Sequence, residues 1–143
     1  MDRQHQQVRA GERGITLVEV LVVVLIVAIL VAGALPLFLN QQTKAQDTEA
    51  KSMAVTAAGT LMVWRHEHDT FLGADIDDLA EIEPVIGSAE GLTISVAEES
   101  FTVRMESAAG SGGGPFMIDF DSSGTARTCT MPKKGGCPDG GRW

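Results

Sequence analysis

The feature that most constrains this chain of 143 residues is an almost unbroken apolar segment near its N-terminus. From Ile15 to Leu39, 21 of 25 residues are apolar, whereas the following 104 residues hold 39. The 20 residues from Val20 to Leu39 would span about 30 Å as a helix, the thickness of a bilayer's hydrocarbon core. The sequence therefore predicts a membrane-associated helix in front of one domain of roughly 100 residues. This distribution argues against a cytosolic enzyme, a collagen-like fibre and a wholly disordered protein.

Charge divides the chain further. The first 14 residues carry a net +1, the sign that keeps an N-terminal segment on the cytoplasmic side of a membrane. Removing them changes the formal charge from −8 to −9. Residues 69–106 hold ten acidic side chains against Arg104, and residues 127–143 carry a net +3. We interpret both clusters as solvated surfaces: the acidic body repels nucleic acid and anionic lipid, whereas the basic tail has the charge to contact either locally.

Three interpretations of the apolar segment compete. An ordinary signal peptide would be cleaved after Ala34, because Ala32-Gly33-Ala34 fits the small-x-small rule. Its apolar core is overlong, however, and Pro36 would stand second in the mature chain. A plain membrane anchor leaves the acidic Glu19 unexplained, since a charged group inside the apolar phase costs about 2.5–3.5 kcal/mol on insertion scales. The third interpretation takes residues 12–19, ERGITLVE, as a processing site in front of the segment.

That string, with the apolar segment behind it, resembles the class III signal of type IV prepilins and pseudopilins. The resemblance implies that a membrane-bound prepilin peptidase cleaves after Gly14 and methylates the new amine of Ile15. Glu19 matches the family's glutamate at the fifth mature position, and Pro36 matches the family's proline in the second half of the segment. The first mature residue of the family is usually phenylalanine, and here it is Ile15.

Physical chemistry supports a role for these residues in assembly. Cleavage after Gly14 creates an ammonium group four residues before Glu19, which is one helical turn. In a bundle of parallel helices, Glu19 of one subunit would neutralise the Ile15 amine of its neighbour at the correct axial stagger. Pro36 lacks the N–H for the carbonyl of Ala32, and Gly33 weakens the same turn. We expect a helix break there, as a bend or a locally melted segment.

The rest of the chain predicts an α+β domain. The helix should continue in amphipathic form to about His66, with one buried face formed by Met53, Ala57, Leu61 and Trp64 and, beside them, Ala54, Ala58 and Met62. A short helix or irregular connection is expected between Asp75, a plausible cap, and Pro84, a stop. Alternating apolar residues then predict strands at residues 92–96, 101–105 and 116–120, with a fourth at 125–130. The predicted fold is a long N-terminal helix packed on an antiparallel sheet of about four strands, which is also the pilin fold.

Cys129 and Cys137 are the two cysteines of the chain, in a span of nine residues. In the oxidising space beyond a bilayer, thiols this close usually pair. Closing so short a loop contributes about 2.5 kcal/mol in the chain-entropy model. The sequence around them is similar to the tail of short pilins from high-GC Gram-positive bacteria, in RTC at 127–129, GGCP at 135–138 and GGRW at 140–143. In that family a disulfide near the C-terminus closes an exposed loop.

Signals for other chemistry are weak. His66 and His68 stand two residues apart and point to different sides of a helix, so they do not form the pair of a zinc helix. Residues 75–78 lack the glycine and the terminal glutamate of a calcium loop. The sequence shows no phosphate-binding loop after a strand and no nucleophile context. We expect no metal, no cofactor and no enzymatic activity.

These observations predict a leader at residues 1–14, a transmembrane or filament-core helix at 15–39 and an exported domain at 40–143. The expected function is that of a structural subunit of a type IV pilus filament. The alternative is a pseudopilin or minor pilin of a type II secretion or DNA-uptake system. Its basic C-terminal surface, formed by Arg127, Lys133, Lys134 and Arg142, would contact DNA or another partner. Expected partners are identical subunits, the prepilin peptidase, the assembly machinery of the cytoplasmic membrane and the membrane itself, with DNA the weaker expectation. The chain would be a single-pass membrane protein before assembly and part of an extracellular or cell-envelope filament afterwards.

Overall fold

The computed structural model describes residues 15–110 and 112–143, with residues 35–37 described by their backbone alone. The predicted leader, including Gly14, lies outside these residues. Two helices and four strands follow one another, with a 3-10 turn between the helices and the sheet. Their bounds are α1 (Leu17–His68), α2 (Ile76–Ile82), the 3-10 turn (Pro84–Ser88), β1 (Leu92–Val96), β2 (Phe101–Met105), β3 (Phe116–Asp121) and β4 (Gly124–Cys129).

The chain divides into two compact units, with the boundary between Leu37 and Phe38. In the first unit, every side chain from Ile15 to Ala34 is exposed. Among the described residues, α1 is the helix long and apolar enough to cross a membrane, with a mean hydropathy of 3.1 over its most apolar window. None of that window is buried, which fits insertion of this segment into a membrane.

The second unit contains an antiparallel sheet in which the strands lie in the order β1-β2-β3-β4. Leu92 pairs with Met105, Phe101 with Phe120, and Phe116 with Cys129. The α+β class and the helix-and-sheet architecture of the pilin fold, both predicted above, are confirmed. The fourth strand begins and ends one residue earlier than predicted, and α1 ends at His68 rather than His66.

The core of the second unit lies among α1, the α2 region and the sheet. Ala54, Ala57 and Leu61 of α1 are buried, and they belong to one cluster with buried apolar residues of the other elements: Phe71, Ala74, Leu79, Ile86, Leu92, Phe101, Val103 and Ile118. The predicted helix face is correct at Ala57 and Leu61, whereas Met53, Ala58 and Trp64 are half-buried. Met62 is 38% exposed, so its assignment to the buried face is wrong. The buried row runs through its neighbour Leu61 instead.

Local hydrogen bonds set the ends of the shorter elements. The Asp75 carboxylate accepts from the Asp78 N–H, and the Asp78 carboxylate accepts from the Asp75 N–H, so α2 begins with a complete capping box. In the turn between β3 and β4, the Ser123 hydroxyl and N–H donate to the Asp121 carboxylate at 2.5 and 2.7 Å. These bonds lower the pKa of Asp121 below its ordinary 3.8. The turn therefore gains stability at neutral pH that it loses as the pH falls through the pKa of the folded state.

Candidate functional site

Ile15 and Glu19 lie at the N-terminal end of α1. Ile15 precedes the helix by two residues, and it lines one concave surface with Glu19, Val20, Val23 and Val24. Thr16 precedes the first helical residue, and its hydroxyl accepts a hydrogen bond from the Glu19 N–H at 3.2 Å. Thr16 therefore caps α1, a role that the sequence analysis missed although Thr16-x-x-Glu19 follows the capping-box spacing. The cap fixes where the helix begins and places Glu19 in its first turn, where a carboxylate complements the helix dipole.

Gly33 and Pro36, the two residues expected to break the helix, lie within α1. The helix is assigned without interruption from Leu17 to His68. A bend of this segment in a membrane or in a filament stays a prediction.

The C-terminal loop begins where β4 ends. Cys129 and Cys137 are both buried and lie at disulfide distance, with their Cα atoms 5.9 Å apart. Inside this loop, the Lys133 N–H donates to the Cys137 carbonyl at 3.1 Å, and the Cys137 N–H donates to the Lys134 carbonyl at 2.9 Å. We call residues 129–137 the disulfide loop. Its own backbone bonds give it a defined shape, in contrast to a loop constrained at its two ends alone.

A buried carboxylate attaches this loop to α1. Asp47 is completely buried, and its Oδ2 accepts hydrogen bonds from the Gly113 N–H at 2.8 Å and the Gly136 N–H at 2.7 Å. Its Oδ1 is buried without a hydrogen-bond partner among the described residues. Asp47 therefore connects three segments that are distant in sequence: the helix, the glycine-rich connection before β3 and the disulfide loop.

Glycines allow these backbones to approach Asp47 so closely. A Cβ atom on Gly112 would lie 2.3 Å from Asp47 Oδ1, and one on Gly135 would lie 2.0 Å from Oδ2. A Cβ atom on Gly113 would lie 2.4 Å from the Cβ of Cys137. Local sequence pattern does not predict this contact, because the partner of these glycines is a single polar residue far away in the chain.

Lys51 adds a second contact between α1 and the disulfide loop. It lies one turn after Asp47, and its ammonium group donates to the Gly136 carbonyl at 2.5 Å. The same Nζ atom lies 5.1 Å from the centre of the Phe116 ring and 5.6 Å from that of Trp143. Both distances are within the range of cation–π attraction. Neither Asp47 nor Lys51 was among the predicted site residues.

The structure separates the predicted basic surface into two parts. Arg127 and Arg142 line one concavity with Trp143, and the Arg127 guanidinium lies 5.5 Å from the centre of that indole. Lys133 and Lys134 line another concavity, which they share with Lys44 of α1. The sequence analysis missed Lys44, because nothing local relates a helix residue to a loop about 90 residues later. The four predicted residues are thus two pairs in two different sites.

The part of the chain that the structure describes holds no group of three or more His, Cys, Asp or Glu side chains placed to bind a metal. His68 stacks on Trp64, with the ring centres 3.7 Å apart. His66 and His68 are both exposed, and their spacing of two residues directs them to different sides of the helix.

Comparison with known proteins identifies the N-terminal signal. The family model for the prokaryotic N-terminal methylation motif matches residues 9–35. Comparison with curated proteins and with solved structures gives no match. The matched range includes Gly14, Ile15 and Glu19, and it implies processing by a prepilin peptidase. The chain therefore carries the class III signal of type IV pilins in front of a long N-terminal helix, and this combination supports a type IV pilin-like or pseudopilin precursor.

Proposed function

We propose that this chain is the structural subunit of a type IV pilus filament and polymerises through the apolar part of α1 after cleavage at Gly14. The single observation that carries the proposal is the methylation motif at residues 9–35, which runs into a helix with no buried side chain from Ile15 to Ala34. The motif also indicates a structural, non-enzymatic protein.

An exposed apolar helix of this length requires a covering. Transfer of apolar surface out of water contributes about 25 cal/mol per Å², so this helix is not stable when its apolar side chains face water. A bilayer covers the helix first, and the same apolar side chains of neighbouring subunits cover it in the filament. Gly33 and Pro36 would let α1 bend as the subunit moves from one environment to the other.

Glu19 gives this association its register. Beyond Glu19 itself, residues 15–34 carry no charged side chain, so the carboxylate has no cationic side-chain partner within its own apolar segment. The Ile15 amine created by cleavage would supply one, and in a parallel bundle the amine of a neighbouring subunit would do so at one axial stagger. An ion pair away from water is stabilising only when both groups are matched, so a wrong stagger is penalised.

The test compares Glu19→Gln with Glu49→Gln, a matched substitution of an exposed carboxylate on the same helix. We expect Glu19→Gln to insert into the membrane and to be cleaved, while the yield of filaments sheared from cells falls at least tenfold. Glu49→Gln should leave the yield unchanged. Wild-type filament yield from Glu19→Gln would contradict the proposal.

A pseudopilin or minor pilin with a DNA-binding basic surface is the second candidate. Arg127 and Arg142, brought together beside Trp143, favour it, because arginine and an aromatic ring suit a nucleic-acid backbone and its bases. The net charge of −9 after leader removal opposes it. Reversing the charge at Lys133 and Lys134, or at Arg127 and Arg142, should abolish DNA capture and leave filaments intact if this candidate is correct.

A further inference from the structure

Three lysines from two distant parts of the chain line one concave surface. Lys44 belongs to α1, whereas Lys133 and Lys134 belong to the disulfide loop. Asn40, Thr43 and Gly135 complete the lining. We call these six residues the lysine groove. All three lysine side chains are exposed, and the other side chains in the groove are polar.

The positive charge of this groove is weakly compensated. The ion pair found there among the described residues is Lys133 with Asp139, at 3.8 Å. Both of its side chains are more than 70% exposed, and such surface pairs contribute little. Lys44 and Lys134 form no ion pair within the described part of the chain. The groove is therefore a site of concentrated positive charge on a subunit that is acidic as a whole.

The position of the groove along α1 relates it to the membrane. Asn40 directly follows Leu39, the last residue of the apolar segment. Lys44 comes four residues later, about 6 Å further along the helix axis. The headgroup region of a bilayer is several ångströms thick on each side of the hydrocarbon core. Residues 40–44 therefore lie at the depth of lipid headgroups when the apolar segment spans the membrane.

The disulfide loop brings the other two lysines beside Lys44. Gly136, two residues after Lys134, donates to the buried Asp47 carboxylate and accepts from Lys51. Cys129 and Cys137 lie at disulfide distance at the ends of the loop. Lys133 and Lys134 are thus held beside Lys44 before any ligand arrives, which reduces the ordering cost of binding.

We propose that the lysine groove binds the phosphate headgroup of an anionic phospholipid in the membrane that holds the unassembled subunit. The proposal rests on the membrane insertion included in the proposed function and is independent of filament formation. Depth favours lipid over DNA or a second copy of the chain as the occupant. A lysine near an anionic membrane surface contributes about fivefold to binding, so three lysines predict a preference on the order of 100-fold.

Native mass spectrometry of the full mature chain in detergent micelles tests this directly. The apparent affinities for phosphatidylglycerol and phosphatidylcholine are measured by titration. Soluble glycerol phosphate serves as a competitor that has the phosphate without the acyl chains. The groove variant combines Lys44→Gln, Lys133→Gln and Lys134→Gln. The matched control removes the same charge elsewhere, through Arg104→Gln, Arg127→Gln and Arg142→Gln. A third variant replaces the groove lysines with arginine.

The wild type, the arginine variant and the matched control should bind phosphatidylglycerol in preference to phosphatidylcholine, and the groove variant should lose most of this preference. The proposal is overturned if the groove variant keeps the preference or if the matched control loses as much. Displacement of the lipid by glycerol phosphate would assign the groove to a free anion and would also overturn it. The proposal is also overturned if the groove binds duplex DNA or a second copy of the chain and shows no selectivity for lipid. Filament yield is scored separately, so failure here is distinguishable from failure of the proposed function.

Discussion

Asp47 is a charged residue with the burial of a core residue. Its carboxylate replaces water as the acceptor for two backbone N–H groups, Gly113 and Gly136, that otherwise have no described partner. These charge-assisted bonds offset part of the cost of removing a carboxylate from water. The rest of the cost remains, because Oδ1 has no hydrogen bond among the described residues. The attachment of the disulfide loop to α1 therefore depends on two side chains of the helix, Asp47 and Lys51.

We expect Asp47→Ala to lower the free energy of unfolding of the second unit by about 2–4 kcal/mol, because it leaves the buried N–H of Gly113 and the half-buried N–H of Gly136 unpaired. Asp47→Asn should lose less, since it keeps one acceptor oxygen. Urea unfolding of the full chain in micelles, followed by tryptophan fluorescence, measures the effect. Glu49→Ala, which removes an exposed carboxylate two residues away, is the control and should change little. Equal stability of Asp47→Ala and Glu49→Ala would show that the buried carboxylate does not hold the loop.

The glycines near Asp47 give a second prediction for single residues. Gly112→Ala should destabilise the second unit by about 1–3 kcal/mol, because its Cβ would overlap Asp47 Oδ1. Gly110→Ala, two residues earlier, meets nothing within 4 Å and should be neutral or slightly stabilising. The same urea titration applies, and a destabilised Gly110→Ala with an unaffected Gly112→Ala would refute the contact.

At the scale of elements, the capping box of α2 carries a prediction of its own. Asp75→Ala should cost about 1 kcal/mol of stability, since the Asp78 N–H loses its acceptor. Asp77→Ala is the control, because Asp77 is exposed in the same turn and takes no part in the cap. Amide hydrogen exchange across residues 76–82 measures the effect locally. Identical exchange in both variants would contradict the role of the box.

The four strands and the C-terminal end of α1 were predictable from sequence to within a residue or two because their signals are local, whereas the 3-10 turn Pro84–Ser88 was not predicted. The alternation at residues 92–96 and 101–105 reflects a sheet with one buried face, and Asp75 has the chemistry of a cap. The buried contacts that α1 makes before Met53 were not predictable in this way. Asp47 interrupts the apolar spacing, so the spacing of the apolar residues predicts that Asp47 is exposed to solvent. Its partners Gly113 and Gly136 come from segments that local pattern cannot pair.

The candidate site was predictable where its residues are neighbours in sequence and not where distant segments meet. Gly14, Ile15 and Glu19 follow from a contiguous signal, and the methylation-motif match covers all three. The basic surface was predicted from four residues near one another in sequence, and the fold separates them into two sites. Lys44 joins Lys133 and Lys134 only through the folded loop. Contacts between distant segments are therefore the component that sequence reasoning lacked.

The whole molecule combines a unit that requires apolar surroundings with a unit that folds in water. The described part of the first is an apolar helix with no buried side chain from Ile15 to Ala34, and the second is a helix-and-sheet unit with its own core and a disulfide loop. Because these apolar side chains are exposed, the environment that covers them decides what the molecule does. In the proposed function, cleavage after Gly14 would connect the membrane state to the assembled one, since it would create the amine that Glu19 needs as a partner.

The mass and N-terminal sequence of the mature chain, isolated from cells, test this account most directly. We predict a chain that begins at Ile15, with or without one methyl group on its amine, and that has a formal charge of −9 from its side chains. Gly14→Ala should slow this processing, and Gly33→Ala should leave the same N-terminus. A mature chain that begins at Leu35, or one that still begins at Met1, would contradict the account, because neither places a new amine one turn before Glu19.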